Sequence, residues 1–318
     1  ALRSLRQFAP VGTVQANVSH HYDLSRALYD LFLDPDRQYS CAYWSEGVDT
    51  LEQAQIAKKR HIALKLHLKP GLRVLDIGCG WGGMALTLAR DYGVHVVGVT
   101  LSKEQYAIAV DRVRDAGLED RVDIRLTDYR EVTGTFDRIV SVGMFEHVGV
   151  PHYDEYFKFV HDHLTEDGIA LIHTIGHVGP ANESDPWIVK YIFPGGYTPA
   201  LSEIQKSVDR QYLVSADVEA LRLHYARTLR AWYERFTVNQ DKAAVLYDDR
   251  FVRMWRWYLL TMEASFTVGR LLVYQLQLSK TLHAVPITRD YLYSDAVAPG
   301  TGLGTTPVTD VAQQRAAE

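Results

Sequence analysis

The stretch that decides the fold is Val74-Leu-Asp-Ile-Gly-Cys-Gly-Trp-Gly-Gly83. Its apolar first half predicts a short buried strand. Its second half predicts a tight turn that leads into a helix, because Gly78, Gly80 and Gly83 let the backbone come close to a ligand. Asp76 stands near the end of the strand, just before the first glycine. We therefore expect a nucleotide-like ligand at this turn.

The glycine spacing also matches the fingerprint of dinucleotide-binding proteins, so the turn alone leaves the ligand open. An NAD site usually carries an acidic residue about 20 residues further along, which binds the ribose hydroxyls. In this chain the next predicted strand ends in Thr100-Leu101-Ser102, without a carboxylate. This difference counts modestly against NAD.

The amino-acid composition excludes several classes of protein for this chain. The chain has 318 residues, of which 47% are hydrophobic and 23% charged, as expected for a globular protein with a full core. A net charge of −5 provides no global basic field for nucleic acid, and no apolar run reaches the roughly 18 residues of a membrane span. The two cysteines, Cys41 and Cys79, fit neither a disulfide framework nor a metal site. We expect a cytoplasmic protein.

Strands and helices alternate after the glycine turn. This alternation is typical of a doubly wound α/β fold with a mostly parallel sheet, in which ligands bind beyond the carboxyl ends of the strands. The predicted strands lie at 72–77, 94–99, 122–126, 136–142 and 168–175, and the helices between them near 80–92, 103–116 and 151–164.

The flanking segments predict further helices and two more strands, which complete a seven-stranded sheet. The run Lys58-Lys59-Arg60 is expected on a solvated helix face. The flanking helices are predicted near 17–34, 51–68, 201–208, 228–239 and 249–268, and the strands near 214–222 and 271–278. The predicted parts are a helical segment over the ligand at 1–69, a ligand-binding core at 70–175, a lid with the last strands at 176–293, and a disordered tail at 294–318.

Several short motifs, taken together and in order, resemble the cyclopropane fatty acid synthase family, which includes the mycolic acid cyclopropane synthases. The resemblance covers about residues 17–293 and is more specific than the glycine turn alone. The matching segments are His21-Tyr22-Asp23, Tyr39-Ser40-Cys41-Ala42-Tyr43, Val74 to Gly83, Val97-Gly-Val-Thr-Leu-Ser102, Met144-Phe-Glu-His147, His173-Thr-Ile175, Phe193-Pro-Gly-Gly196 and His224-Tyr225.

The resemblance implies a class I methyltransferase that uses S-adenosylmethionine and adds its methyl carbon across a cis double bond of a lipid acyl chain. Added N-terminal and inserted helices would form a lid and an acyl tunnel. Larger bacterial members carry an extra N-terminal domain, so this chain resembles the shorter form or a trimmed longer one. The positions that match the family's donor site are Tyr39, Ser40, Asp76, Gly78, Gly80, Thr100, Leu101, Gln105, Asp128 and Tyr129.

The implied chemistry requires a dry site and a base. Methyl transfer to an alkene leaves a carbocation, which water would trap and which aromatic faces stabilise. Tyr22, Tyr39 and Trp44 are the candidates for that stabilisation. Ring closure then removes a proton from the transferred methyl, and in the family a bound bicarbonate is the implied base.

The cage of this bicarbonate matches residues that are far apart in the sequence. Glu146 would hold His173 or the anion, and His147 would orient its neighbours. The matching positions are Cys41, Glu146, His173, Tyr225 and the main chain of Ile175.

Each of these residues has a simpler explanation when it is taken alone. Cys41 could be a packed apolar side chain, the Glu146-His147 pair could lie on the surface, and His173 could be a satisfied core histidine within an apolar run. Their joint match to the family favours a site.

Several functions remain open from the sequence. Closest is the formation of methyl- or methylene-branched chains by the same methyl transfer. An amine N-methyltransferase, a NAD-dependent oxidoreductase and a non-catalytic lipid-binding protein are more distant. The substrate is expected to be an unsaturated phospholipid acyl chain, reached by transient contact with the inner membrane surface, with an acyl carrier protein as the competing scaffold. A homo-oligomer is possible.

Overall fold

The computed structural model describes residues 25–293. The predicted role of Tyr22, the first part of the helix expected at 17–34, and the tail at 294–318 all lie outside this range. Among the described helices, none combines the length and the apolar character needed to cross a membrane.

One seven-stranded sheet forms the centre of the described part. Its strands are β1 (Arg73–Ile77), β2 (His95–Thr100), β3 (Val122–Leu126), β4 (Phe136–Val142), β5 (Leu164–His177), β6 (Val214–Leu221) and β7 (Leu271–Ser279). Their order is β3-β2-β1-β4-β5-β7-β6. β1 to β5 pair in parallel, and β7 runs antiparallel to β5 and β6. The predicted doubly wound, mostly parallel sheet is confirmed.

Helices cover both faces of this sheet and form an additional layer. They are α1 (Arg26–Tyr29), α2 (Leu51–Lys65), α3 (Gly83–Tyr92), α4 (Lys103–Asp115), α5 (Tyr153–His163), α6 (Pro186–Tyr191), α7 (Leu201–Arg210), α8 (His224–Val238), α9 (Gln240–Leu246) and α10 (Asp249–Thr267). A capping box between Thr50 and Gln53 starts α2, as its sequence predicts.

Alternation along β1 distributes its side chains between two apolar layers. Val74 packs with residues of α2, α3 and α4, whereas Leu75 and Ile77 pack with residues of α5 and α7. The third apolar cluster is rich in aromatic side chains, among them Trp232 of α8 and Trp255 of α10. This helical layer is the part of the fold that a bare doubly wound sheet lacks.

The sheet places the glycine turn where a ligand can bind. β1 lies between β2 and β4, so the chain continues in opposite directions along the sheet on its two sides. A crevice forms at the carboxyl ends of strands at such a point. Gly78 follows β1 with φ +81°, and Gly143 follows β4 with φ +66°, conformations that favour glycine.

The prediction of a solvated Lys58-Lys59-Arg60 face is wrong for both lysines. Lys58 and Lys59 are buried, and only Arg60 is exposed. The reason is tertiary: residues 34–40 fold against α2 and supply polar partners, including Asp36, whose carboxylate lies 2.5 Å from Lys59 Nζ. A local charge run carries no information about that distant segment.

Other differences concern helix ends. α8 begins at His224 rather than near Thr228, so Thr228 lies inside the helix, where its hydroxyl donates to the His224 carbonyl. The described part of the first predicted helix reduces to α1 followed by turns. Two helices, α6 and α9, were not predicted; α6 begins with Pro186 after an Asp185 cap.

Candidate active site

A pocket opens at the glycine turn, between the ends of β1, β2 and β4. Gly80 has φ +54°, and a Cβ there would meet no atom within 4 Å, so its backbone borders open space. Every residue that the resemblance assigns to the donor lines this pocket, namely Tyr39, Ser40, Asp76, Gly78, Gly80, Thr100, Leu101, Gln105, Asp128 and Tyr129.

Asp76 is the buried carboxyl group of this pocket. Burial raises its pKa to about 7, and the distant positive charge of Lys58 opposes that rise. Its Oδ2 is buried and, within residues 25–293, has no hydrogen-bond partner. A buried acceptor without a partner is costly, so a ligand that donates a hydrogen bond or carries positive charge would be favoured here.

The other polar side chains of the pocket are held by neighbours. Thr100 Oγ1 donates to Gln105 Oε1 at 3.2 Å. Arg130 donates to both carboxylate oxygens of Asp128, from Nε at 2.9 Å and from Nη2 at 2.8 Å. Burial alone would raise the pKa of Asp128, but these hydrogen bonds hold it below its usual value. The fixed carboxylate presents a constant acceptor to a ligand.

A second, larger cavity of about 750 Å³ lies beside the first pocket. Apolar and aromatic side chains from α6, α8 and α10 form much of its wall, including Trp187, Ile188, Trp257 and Met262. Each predicted catalytic residue between 25 and 293 lines it: Cys41, Glu146, His147, His173, Ile175 and Tyr225. Residues distant in sequence therefore meet at one wall.

Glu146 combines a satisfied and an unsatisfied oxygen. The Ile175 main-chain N–H donates to Oε1 at 2.7 Å. Oε2 is buried, and no described residue satisfies it. Burial raises the pKa of Glu146 to about 7, against the opposing effect of the Ile175 hydrogen bond. Of the two partners expected for Glu146, His173 makes no hydrogen bond to it in the described structure, where Ile175 does. The role toward the anion stays a prediction.

His173 is held instead by Gln275. The two residues are directly paired across β5 and β7, and Gln275 Nε2 lies 3.1 Å from His173 Nδ1. In this orientation of the Gln275 amide its nitrogen donates and Nδ1 accepts, which places the proton of the neutral ring on Nε2. Burial lowers the pKa of His173 to about 3, assisted by the positive charge of Lys58. The ring is therefore uncharged at neutral pH.

Cys41 and His147 are also uncharged. Burial raises the pKa of the Cys41 thiol, whose Sγ donates to the Ala42 carbonyl at 3.3 Å. Burial lowers the pKa of His147 to about 4. Neither side chain acts as a resident charge in this cavity. Across the described range no group of three or more His, Cys, Asp and Glu side chains is arranged to hold a metal ion.

The two cavities share part of their walls. Tyr39, Ser40, Gly143 and His147 line both. The Tyr39 ring stacks on Trp232 with centroids 5.1 Å apart, and its hydroxyl lies 2.9 Å from that of Tyr258. A molecule in the glycine-turn pocket and one in the larger cavity would therefore meet at these residues.

Trp44, the other described aromatic candidate, lies elsewhere. It is absent from the lining of both cavities, its indole N–H donates to Thr228 Oγ1 at 3.0 Å, and Arg227 covers its ring at 4.2 Å. Through these contacts Trp44 connects the loop after Cys41 to α8. We therefore withdraw it as a stabiliser of a cation.

Sequence reasoning missed Gln275, Arg130 and Lys58. The signal for Gln275 was available, since Gln275 and Gln277 alternate with leucines on a predicted strand and so share one face. A polar residue on an apolar strand indicates a buried hydrogen bond. No comparable local signal marks Lys58.

Comparison with known proteins identifies the family. The model of the mycolic acid cyclopropane synthetase family matches residues 12–276 of this chain. The chain belongs to this family. Among individual relatives, it is 47% identical over 260 residues to the cyclopropane-fatty-acyl-phospholipid synthase of Escherichia coli (strain K12), an alignment that covers 82% of this chain and 66% of that protein.

This cyclopropane synthetase family member is also similar to a second bacterial protein and to a solved structure. A probable fatty acid methyltransferase of Pseudomonas putida is 42% identical, over 87% of this chain and 73% of that protein. The crystal structure of the mycolic acid cyclopropane synthase CmaA1, complexed with SAH and CTAB, superposes with a TM-score of 0.79 at 35% identity. That likeness covers 86% of this chain and 99% of the other.

Proposed function

We propose that this family member is an S-adenosylmethionine-dependent enzyme that adds a methylene group across a cis double bond of a phospholipid acyl chain. The observation that carries the proposal is the shared wall at Tyr39, Ser40, Gly143 and His147, where a glycine-turn pocket meets a cavity of about 750 Å³. Two reactants in these spaces would be held adjacent, which is the main requirement of a methyl transfer.

The glycine-turn pocket suits the methyl donor. Gly80 borders open space that suits the methionine part, and Gly78 lines the same pocket. Asp76 offers an unpartnered acceptor, and the residues after β2 and β3, Thr100 and Asp128, suit the ribose and adenine. The related structure with SAH, the product of donor consumption, supports this assignment. The end of β2, Thr100-Leu101-Ser102, lacks the carboxylate that usually binds the ribose hydroxyls of NAD.

The larger cavity suits an acyl chain. Its volume lies within the range of about 300–1,000 Å³ that is usual for ligand pockets. Thr261, Met262 and Ser265 line it together with Trp257, because these α10 positions fall on neighbouring turns of one helix face. CTAB in the related structure carries a long alkyl chain, which supports an apolar occupant.

The reaction needs little activation of either reactant. The alkene carbon attacks the methyl group of the sulfonium, a C–C bond forms and the S–CH3 bond breaks, leaving SAH and a carbocation. The Tyr39 ring borders both cavities and would face this charge. Loss of a proton from the new methyl then gives its electron pair to the cation and closes the ring.

The cluster around Glu146 suits a small carbonate-type anion. Bound bicarbonate would supply the base that accepts the methyl proton. His173 carries its proton on Nε2, the Tyr225 side chain lines the same wall, and the buried Glu146 Oε2 has an unmet need for a hydrogen-bond donor such as the hydroxyl of bicarbonate. Ile175 contributes indirectly, since its N–H already holds Glu146.

The experiment combines the purified protein with S-adenosylmethionine and vesicles of cis-unsaturated phospholipid. We expect lipids heavier by one CH2 whose proton NMR spectrum shows cyclopropane ring protons. Recovery of unmodified lipid alongside intact donor would overturn the proposal. Omission of bicarbonate should lower the rate, which tests the base separately.

A second candidate is a methyltransferase that leaves a methyl- or methylene-branched chain. The probable fatty acid methyltransferase of Pseudomonas putida favours it. In that case a chain carbon beside the cation loses the proton and a methyl-branched alkene remains. Alternatively a hydride shift lets the new methyl lose the proton as a methylene branch, or water adds to the cation. The same NMR spectrum separates the candidates, because branched products show methyl or vinylidene signals and no ring protons.

We also propose that the mouth of the larger cavity docks on a membrane surface. Trp257 is 59% and Val178 55% exposed although both line the cavity, and Arg270 lies in the same wall. Tyr191, with the Lys190 ammonium 4.9 Å from its ring centroid, adds an amphipathic neighbour on α6. An apolar rim with basic side chains suits an anionic bilayer.

Sedimentation with vesicles tests the docking. Trp257→Ser should weaken binding to anionic unsaturated vesicles, while Tyr212→Ser, an exposed aromatic change on the distant α7–β6 turn, should leave it unchanged. Equal binding by the wild type and Trp257→Ser would overturn this surface. Binding to acyl carrier protein in place of vesicles would favour the competing scaffold.

A further inference from the structure

The buried side of α2 mixes polar with apolar side chains. Leu51, Ala54, Ile62 and Ala63 pack inward, and the buried polar residues of the helix are Gln55, Lys58, Lys59, His61 and Lys65. Lys58 is completely buried. A buried ammonium group requires an explanation, since its burial is costly unless charge or hydrogen bonds offset it.

Gln55 and Lys58 together hold residues 38–40. Gln55 Nε2 donates to the carbonyls of Gln38 and Ser40, both at 3.1 Å. Lys58 Nζ donates to Gln38 Oε1 at 2.6 Å and to Ser40 Oγ at 2.8 Å. Gln55 thus binds the main chain of this segment, and Lys58 binds its side chains.

The charge of Lys58 has no contact ion pair in the described structure. Within residues 25–293 no carboxylate oxygen lies within 4.0 Å of Nζ, although Asp34 and Asp36 act on it through space. Burial lowers the pKa of Lys58 to about 8, which leaves it charged at neutral pH. Two neutral acceptors are a weak compensation for a buried cation, so a nearby ligand anion would be favoured.

Ser40 connects this charge to the site. A hydroxyl group has one hydrogen to donate and two lone pairs. Ser40 Oγ accepts a hydrogen bond from Lys58, so its own hydrogen points away from Lys58 and can be donated. None of the described residues accepts it. Ser40 lines both cavities at their junction. An acceptor there would belong to a ligand.

We infer that Lys58 is a positioning residue that orients and polarises the Ser40 hydroxyl as a donor to a carboxylate-type anion at the junction of the two cavities. The inference rests on the proposed function, which brings two such anions to the site. One is the carboxylate of the methyl donor, and the other is a carbonate-type anion near Cys41. The chemistry that recognises them is the same.

Titration calorimetry with two nucleosides distinguishes this positioning role of Lys58 from general support of the fold, because it measures the affinity for each nucleoside separately. S-Adenosylhomocysteine carries the amino-acid carboxylate, and 5′-methylthioadenosine lacks it. Lys58→Met should weaken the first by about tenfold or more and the second by less than about threefold, since loss of a charge-assisted hydrogen bond affects only the anionic ligand. The matched control is Lys59→Met, which removes the neighbouring buried lysine and its Asp36 pair.

Ser40→Ala gives an independent variant if Lys58→Met fails to fold. It should show the same selective loss, and the double variant should lose no more than Ser40→Ala alone, because Lys58 acts through that hydroxyl. Equal weakening of both nucleosides, or additive losses, would overturn the inference. Unchanged nucleoside binding with a higher bicarbonate requirement for turnover would assign the carbonate anion instead of the donor carboxylate.

The same data distinguish this inference from the proposed function. Failure of the wild-type protein to bind S-adenosylhomocysteine would overturn the proposed function itself. The inference alone would be overturned if the wild type binds S-adenosylhomocysteine and Lys58→Met keeps the wild-type ratio of affinities for the two nucleosides. The bicarbonate requirement of Lys58→Met would also have to be that of the wild type.

Discussion

Glu146 accepts a hydrogen bond from the main-chain N–H of Ile175 at 2.7 Å, while its second carboxylate oxygen is buried without a described partner. The first contact fixes the carboxyl group beside β5, and the second oxygen retains its need for a hydrogen bond. A side chain arranged in this way costs stability and is expected to be retained for function.

Replacing Glu146 with Gln tests that expectation. The amide keeps the Ile175 hydrogen bond through its oxygen but cannot carry negative charge. We expect unchanged affinity for S-adenosylhomocysteine, because Glu146 lines only the larger cavity, and a fall in turnover of about 100-fold or more. Binding calorimetry and lipid analysis measure the two quantities. Near-normal product formation would rule out the proposed role of Glu146.

The same variant should change the pH dependence of stability. The pKa of Glu146 is about 7 in the folded state against an ordinary value of 4.5, so its stabilising contribution is complete below the ordinary value and is lost as pH rises through about 7. The stability lost across this pH window is on the order of 3 kcal/mol.

Thermal unfolding measures this effect. Glu146→Gln should match the wild type at about pH 5 and exceed its Tm at about pH 8.5. Glu166→Gln, which alters an exposed carboxylate, serves as the control. A Tm difference that stays constant between the two pH values would contradict the raised pKa.

A side chain at Gly80 should block ligand binding, because it would fill the space that the ligand needs. Gly80→Val should abolish binding of S-adenosylhomocysteine, since the added atoms would point into open space that borders the pocket. Gly117→Val is a matched control, because Gly117 also has positive φ, at +62°, and equally open surroundings, but lies on the α4–β3 turn. Both variants carry similar backbone strain, so equal affinity in the two would refute the pocket assignment.

Tyr39 should act through its ring more than through its hydroxyl. Tyr39→Phe should keep most of the turnover, whereas Tyr39→Leu should lower kcat by about tenfold, because a cation–π contact of up to about 2 kcal/mol is lost. Tyr258→Phe removes the hydroxyl that contacts Tyr39 and is the control for altered positioning. Steady-state kinetics with saturating donor measure kcat for both variants. If Tyr39→Phe is as slow as Tyr39→Leu, the ring is not the part that matters.

Patterns within single elements predicted much of the fold. The bounds of β3 and β4 match the predicted strands residue for residue. β4 is mostly buried, and β3 at the sheet edge alternates apolar with exposed polar residues between turn signals, which is also a local pattern. Helix ends were less accurate. α8 begins at His224 rather than near Thr228, and its first turn places Tyr225 in the same apolar cluster as Leu229, a tertiary contact that the local pattern does not encode.

The candidate site was predictable as a set of residues but not as a set of contacts. The motifs named Glu146, His173 and Ile175, but not their contacts. The pairing of Glu146 with Ile175 depends on how the segment after β4 lies beside β5, and that of His173 with Gln275 depends on the register of β5 against β7. Register across a sheet is set by packing of whole strands, and no local spacing encodes it.

The amino-acid sequence by itself determined the doubly wound sheet, the glycine turn from Val74 to Gly83, and the family to which the chain belongs. These depend on periodicity and on short motifs, which are local properties. Only the tertiary structure decided that Lys58 is buried and that Ser40 borders two cavities. The environment of a charge is set by the chain segments that fold around it, and residues 38–40 reach α2 from outside the helix.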